Sequence, residues 1–244
     1  MTQTWTTEDI RGLALPDVTE EELSVIRSLF LVWKNRLEKN LKRSLYYDAE
    51  QAFKDLGIAL PPQLQNAKFY LGWPAMAVRK LAQHSLFAGL RLPGSEDPLE
   101  LNETFERNDF GLEFSESVVS AYKHGVSFIT VAAGGPQEAP VQIHAHAADS
   151  SAALWDKRRR QISALLTIGE LKDGTQPSDF TVWLPSAVLE VYRDNNGRWK
   201  VERLPHRLGR TMAVPVRYDP QLGQPFGRSR ISNPVMALTD MAVR

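Results

Sequence analysis

A chain of 244 residues with 43% hydrophobic and 24% charged side chains has ordinary globular composition, and enough apolar material for one large or two small cores. Lysine plus arginine equals aspartate plus glutamate at 29 each, so there is no net basic charge of the kind a dedicated nucleic-acid binder carries. There is no cysteine, which excludes disulfides and cysteine-ligated metal or cluster sites within this sequence.

The opening MTQTWTTEDIRG lacks a basic region followed by an apolar core, and no apolar run approaches the roughly 18–20 residues of a membrane helix. No signal peptide and no membrane partner are therefore expected, and a soluble protein made in a cytoplasm is. Residues 1–18 are polar and end in Leu15-Pro16-Asp17, which reads as a flexible arm. Thr19 with Glu22 three residues later is a capping box, and apolar residues then recur at Leu23, Ile26, Phe30, Trp33, Leu37 and Leu41. That spacing predicts a long amphipathic helix with one face buried. Leu45-Tyr46-Tyr47-Asp48 follows. Leu56-Gly57 reads as a helix stop and Pro61-Pro62 as a rigid extended turn. Gly72-Trp73-Pro74 opens a further helix with Ala77, Val78 and Leu81 inward. A loop is expected over 89–98. Residues 101–125 read as mainly helical, with Phe105, Leu112, Val118, Val119 and Tyr122 as core positions and His124-Gly125 as the C-terminal cap.

At Gly125 the period changes from helical to alternating. Val126–Val131 and Val141–His146 read as strands, and Ala164–Glu170, Phe180–Leu184, Val188–Arg193 and Trp199–Leu204 as a meander. Asn196-Gly197 supplies the positive φ angles of a tight hairpin. Met212–Val216 is a short apolar run, and the two prolines and two glycines of 219–227 exclude helix or central strand there. Asn233 and Pro234 then start a helix with Ile231, Val235, Leu238 and Ala242 near helical spacing. Only about three turns follow before the sequence stops, so this helix is expected to be cut short, with few contacts of its own. The fold class is α+β: a helical part over 19–125, a mostly antiparallel sheet over 126–218, and a connector with a helix start over 219–244.

Little in this pattern carries reaction chemistry. His144 and His146, two apart on a strand, point to one face and, with Asp149, form the one group that could hold a metal. Neither His84, His124 nor His206 supplies a third ligand at a recognisable spacing, so no metal and no cofactor is expected. Lys157 with Arg158, Arg159 and Arg160 could touch phosphates weakly, but a charge run without interleaved aromatics reads as a solvated face. There is no GxxxxGK[ST], GxSxG or GxGxxG motif. Catalysis is not expected. The alternatives to the reading below are a stand-alone α+β binding protein and, further off, a metal-dependent hydrolase built on His144 and His146.

The segment PVRYDP…G…FGRSRISNPVMALTDMAVR resembles the stretch that enters the first channel helix of tailed-bacteriophage portal proteins, of the siphovirus type found in phages and prophages of actinobacteria. Gly227, Arg228, Ser229, Pro234, Leu238 and Asp240 carry most of that likeness. Tyr46 and Tyr47, then Leu56, Gly57 and Pro61, then Trp73 and Pro74, then Gly125 before the Ser-Phe strand, resemble the family in the same order. The resemblance implies the wing portion of a portal subunit, an α+β region outside the channel, in a chain truncated before the channel helices. It implies a virion structural component and no enzyme. It implies as partners the other subunits of a dodecameric ring at one capsid vertex, the capsid and scaffolding proteins, and the terminase and head-tail adaptor through regions this chain lacks. DNA would pass through the ring without sequence-specific binding.

Overall fold

A computed structural model describes residues 5–50, 71–90, 93–94, 97, 101–135, 137–172 and 176–242. Leu56, Gly57 and Pro61 lie outside the described residues, as does half of the expected loop over 89–98.

Two capping boxes open the chain. Thr6 with Asp9 starts α1 (Thr7–Arg11), and Thr19 with Glu22 starts α2 (Glu20–Tyr47). The expected loose arm is corrected here. Trp5, Ile10, Leu13 and Leu15 are buried in the same core as Ile26, Leu29 and Phe30, and Trp5 meets Phe30 edge-to-face at 4.7 Å. Lys34 Nζ donates to the Trp5 carbonyl and Arg27 to that of Leu13. Four apolar residues without regular period were enough to seat the segment, because burying large side chains outweighs the absence of a repeat. Further along α2, buried Asn40 donates to the Ala148 carbonyl, Trp33 Nε1 to that of Asp149 and Arg43 to that of His124, so polar groups seat the helix against three carbonyls.

Helix α3 (Trp73–Ala82) starts where Pro74 predicts. The single helix expected over 101–125 is two, α4 (Leu101–Arg107) and α5 (Phe110–His124), broken at Asp109, whose φ is +45°. The break has a cause in Asn108. Its amide donates to the Thr104 and Val141 carbonyls and accepts from Ile143 N–H, each at 2.8 Å, which ties the helix pair to an edge strand. Leu112, expected in the core, is 53% exposed, while Val118 and Ala121 are buried. Phe87, Phe105, Phe110 and Phe114 pack on one another outside the main cores.

The strands are β1 (Val126–Ala133), β2 (Val141–Ala147), β3 (Ser151–Asp156), β4 (Gln161–Ile168), β5 (Leu171–Lys172), β6 (Gln176–Pro177), β7 (Asp179–Trp183), β8 (Ala187–Arg193), β9 (Trp199–Pro205) and β10 (Ala213–Arg217). All pair antiparallel, in a three-stranded sheet of order β10-β1-β2, a five-stranded sheet of order β3-β4-β7-β8-β9, and the small β5-β6 hairpin. The fold is α+β. Strand β3 was not expected from the sequence: its Ser-Ala-Ala start lacks the β-branched residues that mark strands. At the Asn-Gly turn only Gly197 takes a positive φ, +76°, and the Asp194 carboxylate accepts from the backbone of Asn196 and Arg198. The turn is thus built on one left-handed glycine and an aspartate, not on two left-handed residues.

At β4, β7 and the start of β8 the five-stranded sheet is buried on both faces, whereas edge strand β9 is mostly exposed. Leu166, Ile168, Phe180, Val182, Leu189 and Val191 face α1 and α2. Leu165, Trp183 and Val188 face the three-stranded sheet and meet Val126, Phe128 and Ala213. In β4 the register against β3 slips between Leu154 and Trp155, leaving Ser163 unpaired as a bulge, and the Thr211 hydroxyl donates to its carbonyl.

Candidate functional site

Of the residues that carry the family resemblance, Tyr46, Gly125, Gly227, Ser229 and Asp240 gather where the last forty residues fold back over the helices. Strand β10 delivers Tyr218 to the end of α5. Tyr218 N–H donates to the Gly125 carbonyl at 3.0 Å, and Arg228 N–H donates to the Tyr218 carbonyl at 2.9 Å. Between them the chain makes a loop tipped by a fully exposed Leu222, with Gln221 and Gln224 bridging its stem. Phe226 turns back from this loop onto Phe128 and Trp155, edge-to-face at 5.8 and 5.7 Å.

Two of the resemblance glycines cross at this point. Gly125 ends α5 with φ +105°, and a Cβ there would stand 3.1 Å from the Arg228 backbone. Gly227 has φ +71°, and a Cβ there would collide with the Tyr218 carbonyl oxygen and stand 2.8 Å from that of Gly125. Glycine at both positions serves the backbone angle and the close approach together.

Each following residue has a distinct anchor. The Ser229 hydroxyl donates to the Lys123 carbonyl at 2.5 Å, serving one of the unpaired carbonyls at the end of α5, and accepts from Ile231 N–H. Arg230, which sequence reasoning passed over, is the main clamp. Its backbone donates to the Tyr122 carbonyl, its Nε to the Ala77 carbonyl in α3 at 2.7 Å, and its Nη1 to the Tyr218 hydroxyl at 2.7 Å. The guanidinium lies 5.4 Å over the Tyr218 ring, which itself meets Tyr122 edge-to-face. Arg228 is exposed and reaches Gln224.

The terminal helix α6 (Asn233–Ala242) is seated, contrary to the expectation of few contacts. It buries Met236 and Thr239, with Ile231, against Tyr46 and Val78. The Tyr46 hydroxyl lies 2.9 and 2.8 Å from the two carboxylate oxygens of Asp240, so the tyrosine pair and the last helix are joined by a charge-assisted hydrogen bond. The face expected to be inward is rotated. Leu238 is 54% exposed, as is Met241 at 60%, because Arg230 and Asp240 rather than apolar spacing set the helix's orientation. Pro234 is exposed in the first turn, and Trp73 stands half exposed beside buried Pro74.

Tyr47 serves a different surface. Its hydroxyl accepts from Arg79 Nε at 2.9 Å, and both the Arg79 guanidinium (5.5 Å) and the Lys123 ammonium (4.9 Å) lie over its ring. That hydrogen bond raises the Arg79 pKa.

The other candidates are dispersed. Asp149 does not join His144 and His146 but faces His124, whose Nε2 is 3.6 Å away. The His146 ring contacts the Thr130 hydroxyl at 2.8 Å, and His144 is turned toward Glu113 at 4.0 Å. Burial, with the His144 charge second, pushes the His146 pKa down to about 4. Among the described residues no three His, Cys, Asp or Glu are placed to hold a metal. Arg158, Arg159 and Arg160 form the exposed β3–β4 turn, where the Asp156 carboxylate accepts from the backbone of Arg158 and Arg159 and its pKa is lowered by those bonds. No described helix is long and apolar enough to cross a membrane.

No family model matches the chain. Two curated proteins do match. One, named Portal protein, from Mycobacterium phage L5, is 26% identical over 248 aligned positions that cover 94% of this chain and 49% of the relative. The Portal protein of Mycobacterium phage D29 is 26% identical over 216 positions, 82% of this chain and 42% of that one. The chain is similar to phage portal proteins. It spans about half the length of the curated relatives it matches. That similarity agrees with the family resemblance read from the sequence.

Proposed function

We propose that this chain is the wing portion of a phage portal subunit, a structural component of the virion and not an enzyme. In this reading copies form the ring at one capsid vertex through which DNA is packaged and ejected and to which the tail attaches. The observation that carries it is the similarity to the L5 portal protein across 94% of the chain.

The junction supports it. A wing must hold the entry of a channel helix at a fixed angle, and Arg230, Ser229, the two crossing glycines and the Tyr46–Asp240 bond do that for α6. Exposed Leu238 and Met241 on α6, with Trp73 and Met76 on α3, leave apolar surface beside that helix. In a full subunit the remaining regions or a neighbouring copy would cover it. The basic turn at 158–160 would then be a solvated face of the wing.

The test is a chimera in which this chain replaces the matching stretch of the L5 portal protein, with mass measured by light scattering. A single high-order oligomer is expected. A folded chimera that stays monomeric under conditions where the parent assembles would count against the reading.

A further inference from the structure

Beside the Tyr47 cations lies an open groove of about 750 Å³ between α3 and α5. It is of the size that binding sites occupy. Its floor includes an unexplained feature. The His124 side chain is 1% exposed, lines the groove, and its Nδ1 has no hydrogen-bond partner. Ser120, one helical turn earlier on the same face of α5, also lines it, and its buried hydroxyl is likewise unpartnered. Two buried polar atoms left unmatched side by side cost folding free energy unless something else satisfies them.

Charge along the groove is ordered. Glu116, Ser120 and Lys123 follow one another along α5, and seven residues of helix place Glu116 roughly 10 Å from Lys123. At the Lys123 end, Tyr47 holds Arg79 and Lys123 over its ring. Lys123 has Asp48 at 3.9 Å, and Asp149 is turned to His124. Arg79 gives its Nε to Tyr47, is exposed and, among the described residues, forms no ion pair within 4 Å, although the Asp48 charge acts on it. Leu86, 72% exposed, and Val119 supply apolar wall between the two ends. Burial holds His124 neutral, its pKa down at about 4, so with Nε2–H directed at Asp149 its Nδ1 is an acceptor that a backbone N–H could fill.

We infer that this groove docks an extended peptide segment of a partner protein, about three residues long at about 3.4 Å per residue, with an acidic side chain at Arg79 and Lys123, an aliphatic one on Leu86 and Val119, and a basic one at Glu116. Both atoms are closed to solvent in the free chain, so docking turns the Ser120 hydroxyl and the His124 ring toward the groove, where the peptide backbone supplies the donor for Nδ1 and a partner for the hydroxyl. This inference does not depend on the portal reading.

The probes are acetyl-Lys-Leu-Asp-amide and acetyl-Asp-Leu-Lys-amide, with acetyl-Gln-Leu-Asn-amide as the uncharged control, titrated to about 10 mM into the whole chain. The readout is NMR shifts of the His124 ring and the Ser120 and Lys123 amides. One charged order is expected to shift these saturably and to bind about tenfold more tightly than the uncharged peptide. Arg79→Gln and Lys123→Gln should each weaken it about fivefold or more, whereas Arg158→Gln, in the distant basic turn, should change nothing. Equal binding of charged and uncharged peptides would overturn the proposal. So would equal losses in the Arg158→Gln variant, or no saturable shift at His124 with either order.

Discussion

Replacing Gly227 by alanine probes the crossing on which the C-terminal junction rests. Two costs combine. Alanine at φ +71° is left-handed, which for a residue with a Cβ costs about 1 kcal/mol. The added Cβ also cannot coexist with the Tyr218 carbonyl oxygen and stands 2.8 Å from that of Gly125, and both neighbours are backbone, which cannot rotate away. Relief requires the strands to part, weakening Tyr218 N–H to Gly125 and Arg228 N–H to Tyr218 at about 1 kcal/mol each. The expected loss is about 3 kcal/mol, or some 6–12 °C in melting temperature for a chain of this size. Gly223→Ala is the internal control. Its φ is +80°, but a Cβ there meets nothing, so only the conformational cost of about 1 kcal/mol applies. The assay is urea unfolding of both variants, with hydrogen exchange to localise the effect to the 218–242 segment. Equal losses in the two variants would refute the steric part of the reasoning.

Tyr46→Phe removes the hydroxyl that bonds Asp240 and should cost about 1.5–3 kcal/mol at the α6 seat, seen as faster hydrogen exchange in α6 with the sheets unchanged. Ile10→Ala, at a fully buried position, should destabilise by about 2–4 kcal/mol in denaturant unfolding, whereas a loose arm would show no change. Burial lowers the pKa of His124 and His146 to about 4, below the 6.5 of the free side chain, so protons favour the unfolded state. Stability should be full above pH 6.5 and fall as pH drops toward 4. Unfolding curves at pH 7.5 and pH 5 check this, and His146→Gln should flatten the difference.

What could be read from the sequence followed periodicity and punctuation. Thr19–Glu22 gave the start of α2, Gly125 the end of α5 and the change to strands, and the alternation after Val126 the antiparallel sheets. What could not be read depended on long-range partners. Trp5 and Ile10 show no period, and only Phe30 and the sheet beyond it make them core. Asn108 breaks a helix that local propensity would continue, because its amide bonds β2. The rotation of α6 is set by Arg230 and Asp240, so Leu238 faces outward although its spacing suited the inward face. At the candidate site, the glycines and the tyrosine pair were visible as a pattern, but their meeting was not. Arg230 gave no signal, since a lone arginine in a loop looks like any solvated charge.

Electron microscopy of the chimera carrying this chain in the matching stretch of the L5 portal protein tests the central claim most directly. The account predicts closed rings with a central opening, in which this chain forms the outer density and α6 runs on toward the axis. Folded but isolated particles, or rings in which this chain lines the opening while α6 points away from it, would contradict it.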